Sequence, residues 1–282
     1  MPDEVNGRTH HYNAEATIVS GSLKLPLVHD IRPHPTNALQ HSGGYVSQRG
    51  DSHRLEGVLS YRAAYTQVSG NRSTKPGQGW TTLTTSVIEG LNVLDVVTAD
   101  RIVGQMITNH PLDGYVPSVN FLGSRFENLR IAGYPVEVDL NLDVLGSKPA
   151  DDASYSHDPG VFERAANQHK HLLGNNDLPA DLRERYNRLS SIQLGAEIVE
   201  CSLVNQVSGS YPGRSFGHII DIPDFGKVVL GKLTLTSEDM KPGTKTPAKT
   251  TVRLTMIRLE LGCVTDGTID LVDGSTNGGT IP

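Results

Sequence analysis

The chain has 282 residues, of which 37% are hydrophobic and 20% charged, and its formal net charge is −6. This balance is typical of a globular protein rather than a disordered one. Lysines and arginines are scattered among carboxylates, whereas a nucleic-acid surface needs clustered positive charge, so we expect no nucleic-acid partner. No apolar stretch approaches the roughly 20 residues that span a bilayer, and the polar start lacks the apolar core of a signal peptide. We therefore expect a soluble protein without membrane insertion, cytoplasmic by default, with surface export left open.

The first quarter of the chain predicts an arm, two strands and a loop. Residues 1–14 are polar and predict an N-terminal arm. From Glu15 to Leu27, apolar residues alternate with polar or small ones, which is the period of a half-buried strand. Residues 30–52 are rich in proline and glycine and predict an irregular loop. Alternation over residues 53–69 predicts a second strand.

The strongest strand signal begins after Trp80. Residues 81–88 and 93–108 are rich in threonine and valine, whose branched side chains fit a pleated sheet. Residues 109–117 predict a turn. From Val136 to Val144, five apolar residues alternate with four polar ones, which predicts an antiparallel strand with one buried face.

Residues 146–196 interrupt this pattern and predict a helical insertion. Asp158 and Pro159 supply an N-cap and a proline at the first helical position, and Gly174 supplies a stop. Apolar residues between them recur at helical spacing. A second, shorter helix is predicted over residues 180–189.

The patterns together predict a mainly β protein. Residues 15–145 and 196–282 form a single β domain, either an antiparallel sandwich or a flattened barrel. The helical insertion is expected to cover one end or one edge of the sheet, since a large sheet has to protect its edges.

Three stretches resemble known bacterial proteins. Residues 86–104 contain a Thr-Ala-Asp step like the one that ends a strand in those proteins. Residues 123–136 match a Gly-Ser-x-x-x-x-Leu-x-Ile-x-Gly-x-Pro-Val hairpin. Residues 222–230 match an Ile-Pro-x-Phe-Gly-x-Val-x-Leu hairpin. The chain thereby resembles bacterial β-rich proteins of unknown function and, more weakly, the choice-of-anchor P domains of surface proteins. The resemblance implies a β architecture and a surface or assembly role, and it carries no catalytic residues.

Charged residues inside strong strand signals are the candidate catalytic group. Asp100 and Arg101 lie within a run of valine, alanine and isoleucine, and Glu127 follows in the next predicted hairpin. Facing a cavity, they could serve as a general acid or base with an anion-binding arginine. The alternative is a structural ion pair between strands or simple exposure, because neighbouring strand residues point to opposite faces.

The turn at residues 109–117 is the candidate ligand-binding loop. It brings an imidazole, a carboxylate and a phenol together in His110, Asp113 and Tyr115. Loops on a rigid scaffold often carry binding residues. The alternative is ordinary turn chemistry.

No cofactor or metal site is expected from local motifs. The sequence lacks phosphate-binding glycine motifs, a nucleophile elbow and zinc-ligand spacings. A metal site assembled from histidines distant in sequence stays open. Cys201 and Cys263 are the only cysteines and are expected to be small buried residues on strands.

Three functions are compatible with these patterns. The first is a non-enzymatic structural or interaction protein that self-associates as a homo-oligomer. The second is a small-molecule binding protein or enzyme with a pocket at the end of the sheet, capped by the helical insertion. The third is a carbohydrate-binding module, which the single tryptophan and 5% aromatic content disfavour.

Overall fold

The computed structural model of the protein describes residues 3–5, 7–25, 28–55, 57–149, 153–238, 249–262 and 265–281. This part of the chain contains two α-helices, α1 (Pro159–Leu173) and α2 (Ala180–Ser190), and a 3₁₀ helix at Tyr155–His157. Its strands are β1 (Asp3–Val5), β2 (Arg8–His11), β3 (Ala14–Leu25), β4 (His29–Ala38), β5 (Gly44–Gly50), β6 (His53–Leu55), β7 (Leu59–Tyr61), β8 (Ala63–Arg72), β9 (Gln78–Val93), β10 (Val97–Pro111), β11 (Ser118–Asn120), β12 (Arg125–Glu127), β13 (Arg130–Ile131), β14 (Tyr134–Pro135), β15 (Glu137–Leu140), β16 (Ile198–Ser202), β17 (Val204–Ser208), β18 (Arg214–Phe216), β19 (Ile219–Ile222), β20 (Gly226–Glu238), β21 (Lys249–Gly262), β22 (Asp266–Thr276) and β23 (Gly279–Ile281).

Two large antiparallel sheets contain most of the described strands. The eight-stranded sheet has the order β4-β3-β22-β21-β20-β19-β18, and β16 also pairs with β20. The ten-stranded sheet is built on the long hairpin of β9 and β10. Strands β8 and β5 extend it beyond β9, and β11, β12 and β13 pair along the other side of β10. The threonine- and valine-rich segments that predicted strands most strongly therefore form its centre.

The two large sheets pack face to face, which makes the protein a sandwich. Strands β3 and β22 of one sheet contact β9 of the other, and β3 also contacts β8. The main apolar core lies between the sheets, and it includes the fully buried side chains of Ile18, Ile88, Ile102, Leu230 and Leu271. Complete burial of such a side chain stabilises the fold by about 1.5–3 kcal/mol. The mainly β fold class predicted from the sequence is confirmed.

Three predicted elements differ from the observed ones. The prediction of an irregular loop at residues 30–52 is wrong, because β4 and β5 occupy most of this range. Both are edge strands. The prolines of β4 are tolerated there because proline lacks only an N–H, and at an edge an outward N–H would have no strand partner. The single strand expected at residues 53–69 is divided into β6, β7 and β8. Residues 136–144 keep their alternating burial, but only residues 137–140 form a regular strand.

Helix α1 begins and ends where the sequence predicted. The carboxylate of Asp158 accepts a hydrogen bond from the Val161 N–H at 2.9 Å, Pro159 is the first helical residue, and Gly174 is the C-cap. In the described residues no helix combines the length and the apolar character needed to cross a membrane.

The predicted N-terminal arm contains two strands in its described part. Strand β2 pairs with β23, so the two ends of the chain meet beside the sandwich. His10 and Tyr12 are fully buried there. A polar sequence thus covers one end of the interior.

Substitution of Gly226 tests the pairing of β20 with β21. Its φ is +123°, and a Cβ atom there would lie 2.2 Å from the carbonyl oxygen of Glu260. Relief of this clash requires a backbone shift, so we expect Gly226→Ala to lower the free energy of unfolding by about 2 kcal/mol or more. Urea unfolding measures this change. Gly262→Ala on the partner strand is the matched control, because an added Cβ there meets nothing within 4 Å. Equal losses in the two variants would contradict the pairing.

Candidate functional site

A cavity of about 240 Å³ lies between the helices and the outer face of the eight-stranded sheet. We call it the helix-covered pocket. Its walls come from α1 and α2 on one side and from β16, β20 and β21 on the other. The helical insertion therefore covers a face of the sheet, whereas the sequence predicted that it covers an end or an edge.

Helix α2 docks on the sheet through a small apolar cluster. Leu182 and Tyr186, one helical turn apart, belong to a buried cluster with Ile219 and Val229 of the sheet and Leu172 of α1. Val229 points outward because its neighbours on β20 face the main core. The docking follows from amphipathic patterns on both partners.

Two ion pairs flank this apolar cluster. Asp181 and Arg185 lie one turn apart on α2, and Lys227 and Glu260 lie directly opposite each other on β20 and β21. The Lys227 Nζ is 2.8 Å from Asp181, and the Arg185 guanidinium donates two hydrogen bonds of 2.9 and 2.8 Å to the Glu260 carboxylate. This bidentate contact raises the pKa of Arg185 and fixes the orientation of the helix.

The charged lining of the pocket is predominantly basic. It consists of four basic and two acidic side chains, namely Arg185, Arg188, Lys232, Arg258, Glu200 and Glu260. Lys232 lies 3.0 Å from Glu200, and Arg258 lies 3.2 Å from Asp270 behind it. Arg188 is exposed and forms no ion pair with any residue that the structure describes. Three of the four basic side chains are thus paired with carboxylates, and the uncompensated positive charge of Arg188 is the one that attracts an anion.

A neutral pair forms the buried back of the pocket. The Tyr186 hydroxyl and the His218 Nε2 share a hydrogen bond of 2.8 Å. Burial, with lesser effects of His169, Lys232 and Arg185, lowers the pKa of His218 to about 3. Burial also raises the pKa of Tyr186. Both groups are therefore uncharged at neutral pH and act as hydrogen-bonding groups rather than as charges.

Two further polar groups line the pocket. His169 Nε2 hydrogen-bonds to the Glu200 carbonyl oxygen at 2.9 Å, and burial lowers the pKa of the imidazole. Burial raises the pKa of Cys201 to about 12. A thiol with so high a pKa is not a nucleophile at neutral pH, in keeping with the small buried residue expected on a strand. Cys263 lies outside the described residues.

The predicted catalytic candidates lie on the ten-stranded sheet, away from this pocket. Arg101 and Glu127 are directly opposite each other on β10 and β12, and Arg101 Nε lies 3.8 Å from Glu89. Asp100 is exposed and accepts a hydrogen bond of 2.7 Å from Asn128. Glu127 pairs with Arg125 at 2.6 Å. Arg101 and Glu89 line a separate, open pocket on this sheet, so of the catalytic candidates Arg101 alone faces a cavity among those described.

The predicted ligand-binding loop residues point in different directions. His110 is buried inside the sandwich, and Asp113 is exposed. The Tyr115 ring lies 4.6 Å below the guanidinium of Arg8, which also donates hydrogen bonds to the carbonyl oxygens of Leu112 and Gly114. The N-terminal strand thus holds this loop.

Sequence reasoning missed the residues that line the helix-covered pocket. A signal was present, since Lys232, Arg258 and Glu260 interrupt apolar strands at the positions that face outward. The polar residues of the predicted second helix were a further signal. Neither pattern shows that Arg185 and Glu260, 75 residues apart, meet in the fold.

Comparison with known proteins relates the chain to one family. Residues 10–236 match a family described as Domain of unknown function (DUF8256). The chain belongs to this family. The DUF8256 match agrees with the predicted resemblance to proteins of unknown function and gives no support to the likeness to choice-of-anchor P domains. No curated protein and no solved structure is detectably similar to the chain.

The buried His218 makes stability depend on pH. The unfolded chain takes up a proton near the ordinary pKa of 6.5, whereas the folded protein does so only near 3. The neutral imidazole therefore contributes stability that is fully present above pH 6.5 and is lost as the pH falls from 6.5 toward 3. Its contribution to the slope is up to about 1.4 kcal/mol per pH unit.

Urea unfolding over a pH series measures this slope. We expect His218→Gln to reduce it, whatever its effect on stability at neutral pH. His171→Gln, at an exposed position on α1, is the control and should keep the wild-type slope. An unchanged slope in His218→Gln would show that this imidazole is not held neutral by the fold.

Proposed function

We propose that the protein binds a small anionic molecule in the helix-covered pocket. The observation that carries this proposal is the convergence of four basic side chains on a cavity with two carboxylates. This is the second of the functions considered from the sequence, with the pocket on the face of the sheet rather than at its end.

The unpaired Arg188 is the group best suited to meet the anion. Lys232 and Arg258 already contact Glu200 and Asp270, so their positive charge is partly compensated. An incoming carboxylate or phosphate can bind Arg188 without breaking an ion pair of that residue. At Lys232 it would share the ammonium group with Glu200. The neutral hydroxyl of Tyr186, which shares one hydrogen bond with His218, can form a second one with the uncharged part of the ligand.

Binding is favoured over catalysis by the protonation states of the pocket. A general base works best with a pKa near the working pH. Burial instead moves the pKa of His218 down to about 3 and that of Cys201 up to about 12. Neither group is tuned for proton transfer or nucleophilic attack at neutral pH.

Arg188→Gln tests the proposal. Loss of a charge-assisted hydrogen bond costs about 1.5–3 kcal/mol, so we expect affinity for a bound anion to fall about tenfold or more. Isothermal titration with inorganic phosphate and a panel of small carboxylates measures it. Arg214→Gln removes an exposed arginine outside the pocket that pairs with Asp177 at 3.5 Å, and it should bind as the wild type does. Equal affinities in wild type and Arg188→Gln, or no binding of any anion, would contradict the proposal.

Self-association is a second candidate function, and the sheet edges favour it. Strands β4 and β5 each end one of the large sheets, and no described strand pairs with their outer edges. Tyr45 on β5 is 60% exposed. Free strand edges offer backbone hydrogen bonds to a second chain.

The native mass tests this second candidate. Light scattering after size exclusion should give a mass above that of one chain, rising with concentration. Tyr45→Lys should shift the protein toward the monomer. Leu194→Lys, in a turn outside the strands and 50% exposed, should not. A monomer at every concentration would exclude self-association through these edges.

A further inference from the structure

The open pocket beside Arg101 is a groove across the outer face of the ten-stranded sheet. Its volume is about 290 Å³, and it crosses four neighbouring strands in the order β5, β8, β9 and β10. We call it the sheet groove. The residues that line it are Arg49, Ala63, Ala64, Tyr65, Val87, Glu89 and Arg101.

Alternation along the strands directs these side chains away from the main core. Ile88 of β9 and Ile102 of β10 are fully buried in that core. Their neighbours Val87, Glu89 and Arg101 therefore point to the outer face. Val87 does not belong to the main core and is nevertheless only 6% exposed. The side chains around it cover it, so Val87 forms part of the floor of the sheet groove.

The strand register gives the order of the groups across the sheet groove. Arg49 on β5 lies directly opposite Tyr65 on β8, and Tyr65 lies opposite Val87 on β9. Two residues further along β9, Glu89 lies opposite Arg101 on β10. The backbones of the two arginines are therefore three strand spacings apart, about 14 Å across the sheet. An aromatic ring and an apolar floor lie between them.

The guanidinium of Arg49 is available to a ligand on one wall. Arg49 is exposed, and its side chain forms no ion pair or hydrogen bond with any residue that the structure describes. A guanidinium presents its N–H groups in a planar fork that matches a carboxylate. This wall of the sheet groove is therefore suited to a carboxylate.

Glu89 and Arg101 offer hydrogen-bonding groups on the other wall. Arg101 Nε and Arg62 Nη2 each lie 3.8 Å from a carboxylate oxygen of Glu89, which is longer than a hydrogen bond. The buried Arg101 Nε has no hydrogen-bond partner in the described part of the chain. Glu89 thus keeps acceptor sites and Arg101 keeps donors, a combination that suits hydroxyl groups.

The Tyr65 ring is held in place between the two walls. Its hydroxyl donates a hydrogen bond of 2.7 Å to Gln67 Oε1 and lies 3.3 Å from the Tyr45 hydroxyl. Gln67 is two residues further along the same face of β8, so the ring leans along the strand. A fixed aromatic ring offers an apolar surface against which a ring of the ligand can pack.

This combination of groups selects among anions. Inorganic phosphate or a short carboxylate would use Arg49 and leave Tyr65 and Glu89 without a role. An aromatic carboxylate would use the ring but would cover Glu89 without donating a hydrogen bond to it, which is unfavourable. A ring that carries a carboxylate on one side and hydroxyl groups on the other satisfies every group. That is the chemistry of an acidic sugar.

We propose that the sheet groove binds a uronate, with its carboxylate at Arg49, its ring over Tyr65 and Val87, and its hydroxyl groups at Glu89 and Arg101. Because the groove is open, a free uronic acid and one residue of a uronate-containing polysaccharide can both occupy it. The low aromatic content that disfavoured a carbohydrate-binding module counts against a flat aromatic platform, whereas this groove uses one ring and three charged groups. It shares no lining residue with the helix-covered pocket, so either proposal can fail without the other.

Saturation-transfer difference NMR with galacturonate and glucuronate tests the site, with galactose and glucose as matched ligands that lack the carboxylate. We expect the affinity for at least one uronate to exceed that for its neutral sugar about tenfold, because a charge-assisted contact is added. Trigalacturonate distinguishes the two sources. Higher affinity for it than for galacturonate identifies a polysaccharide, and equal affinity identifies the free sugar.

Variants assign the binding to the sheet groove. Arg49→Gln should lower uronate affinity about tenfold and leave the affinity for the neutral sugar unchanged, whereas a defect in folding would lower both. Tyr65→Leu should weaken both ligands, and Tyr65→Phe, which keeps the ring, should weaken neither. Arg72→Gln removes an exposed arginine of β8 outside the groove and should bind as the wild type does, as should Arg188→Gln.

Three results would overturn the proposal. The first is equal affinity for each uronate and its neutral sugar, or no binding of any of these ligands. The second is unchanged uronate affinity in Arg49→Gln. The third is a loss of uronate affinity in Arg188→Gln, which would place the sugar in the helix-covered pocket instead.

Discussion

Helix α2 is oriented on the eight-stranded sheet by two ion pairs that connect neighbouring positions on each partner. Asp181 and Arg185 follow each other along one face of the helix, and Lys227 and Glu260 face each other across two strands. Surface ion pairs usually contribute little. The Arg185–Glu260 pair differs, because its geometry is bidentate and the Glu260 side chain is only 19% exposed. Its directionality fixes how the helix lies, whereas the apolar cluster beneath it supplies most of the favourable free energy.

That placement creates the pocket. A sheet face that carries Lys232, Arg258 and Glu200 would be an ordinary solvated surface without a cover. Under α2 the same charges lie in a partly enclosed space, where electrostatic interactions are stronger than in water. Tyr186 takes part both in docking the helix and in lining the pocket. Its ring packs in the docking cluster, and its hydroxyl shares a hydrogen bond with His218.

Local patterns in the sequence predicted the parts of the fold that depend on neighbouring residues. The β9–β10 hairpin followed from threonine and valine content, and α1 from Asp158, Pro159 and Gly174. Strand β4 was missed because Pro33 and Pro35 have the composition of a loop, although an edge strand tolerates them. The pocket could not be predicted, because its contacts join residues that the sheet pairing brings together over long separations.

The choice of candidate site residues was limited in the same way, because local patterns do not show which charged residues are covered in the fold. Charges within apolar runs singled out Asp100 and Arg101, but the same feature occurs on the outer face of any sheet that meets solvent. What distinguishes Lys232 and Arg258 is the helix above them, and only the fold reveals it.

A crystal soaked with a heavy anion, such as tungstate or bromide, tests the central claim most directly. The account predicts anomalous density in the helix-covered pocket, within contact distance of Arg188 and Lys232. Density confined to other surface arginines and lysines, with none in the pocket, would contradict it.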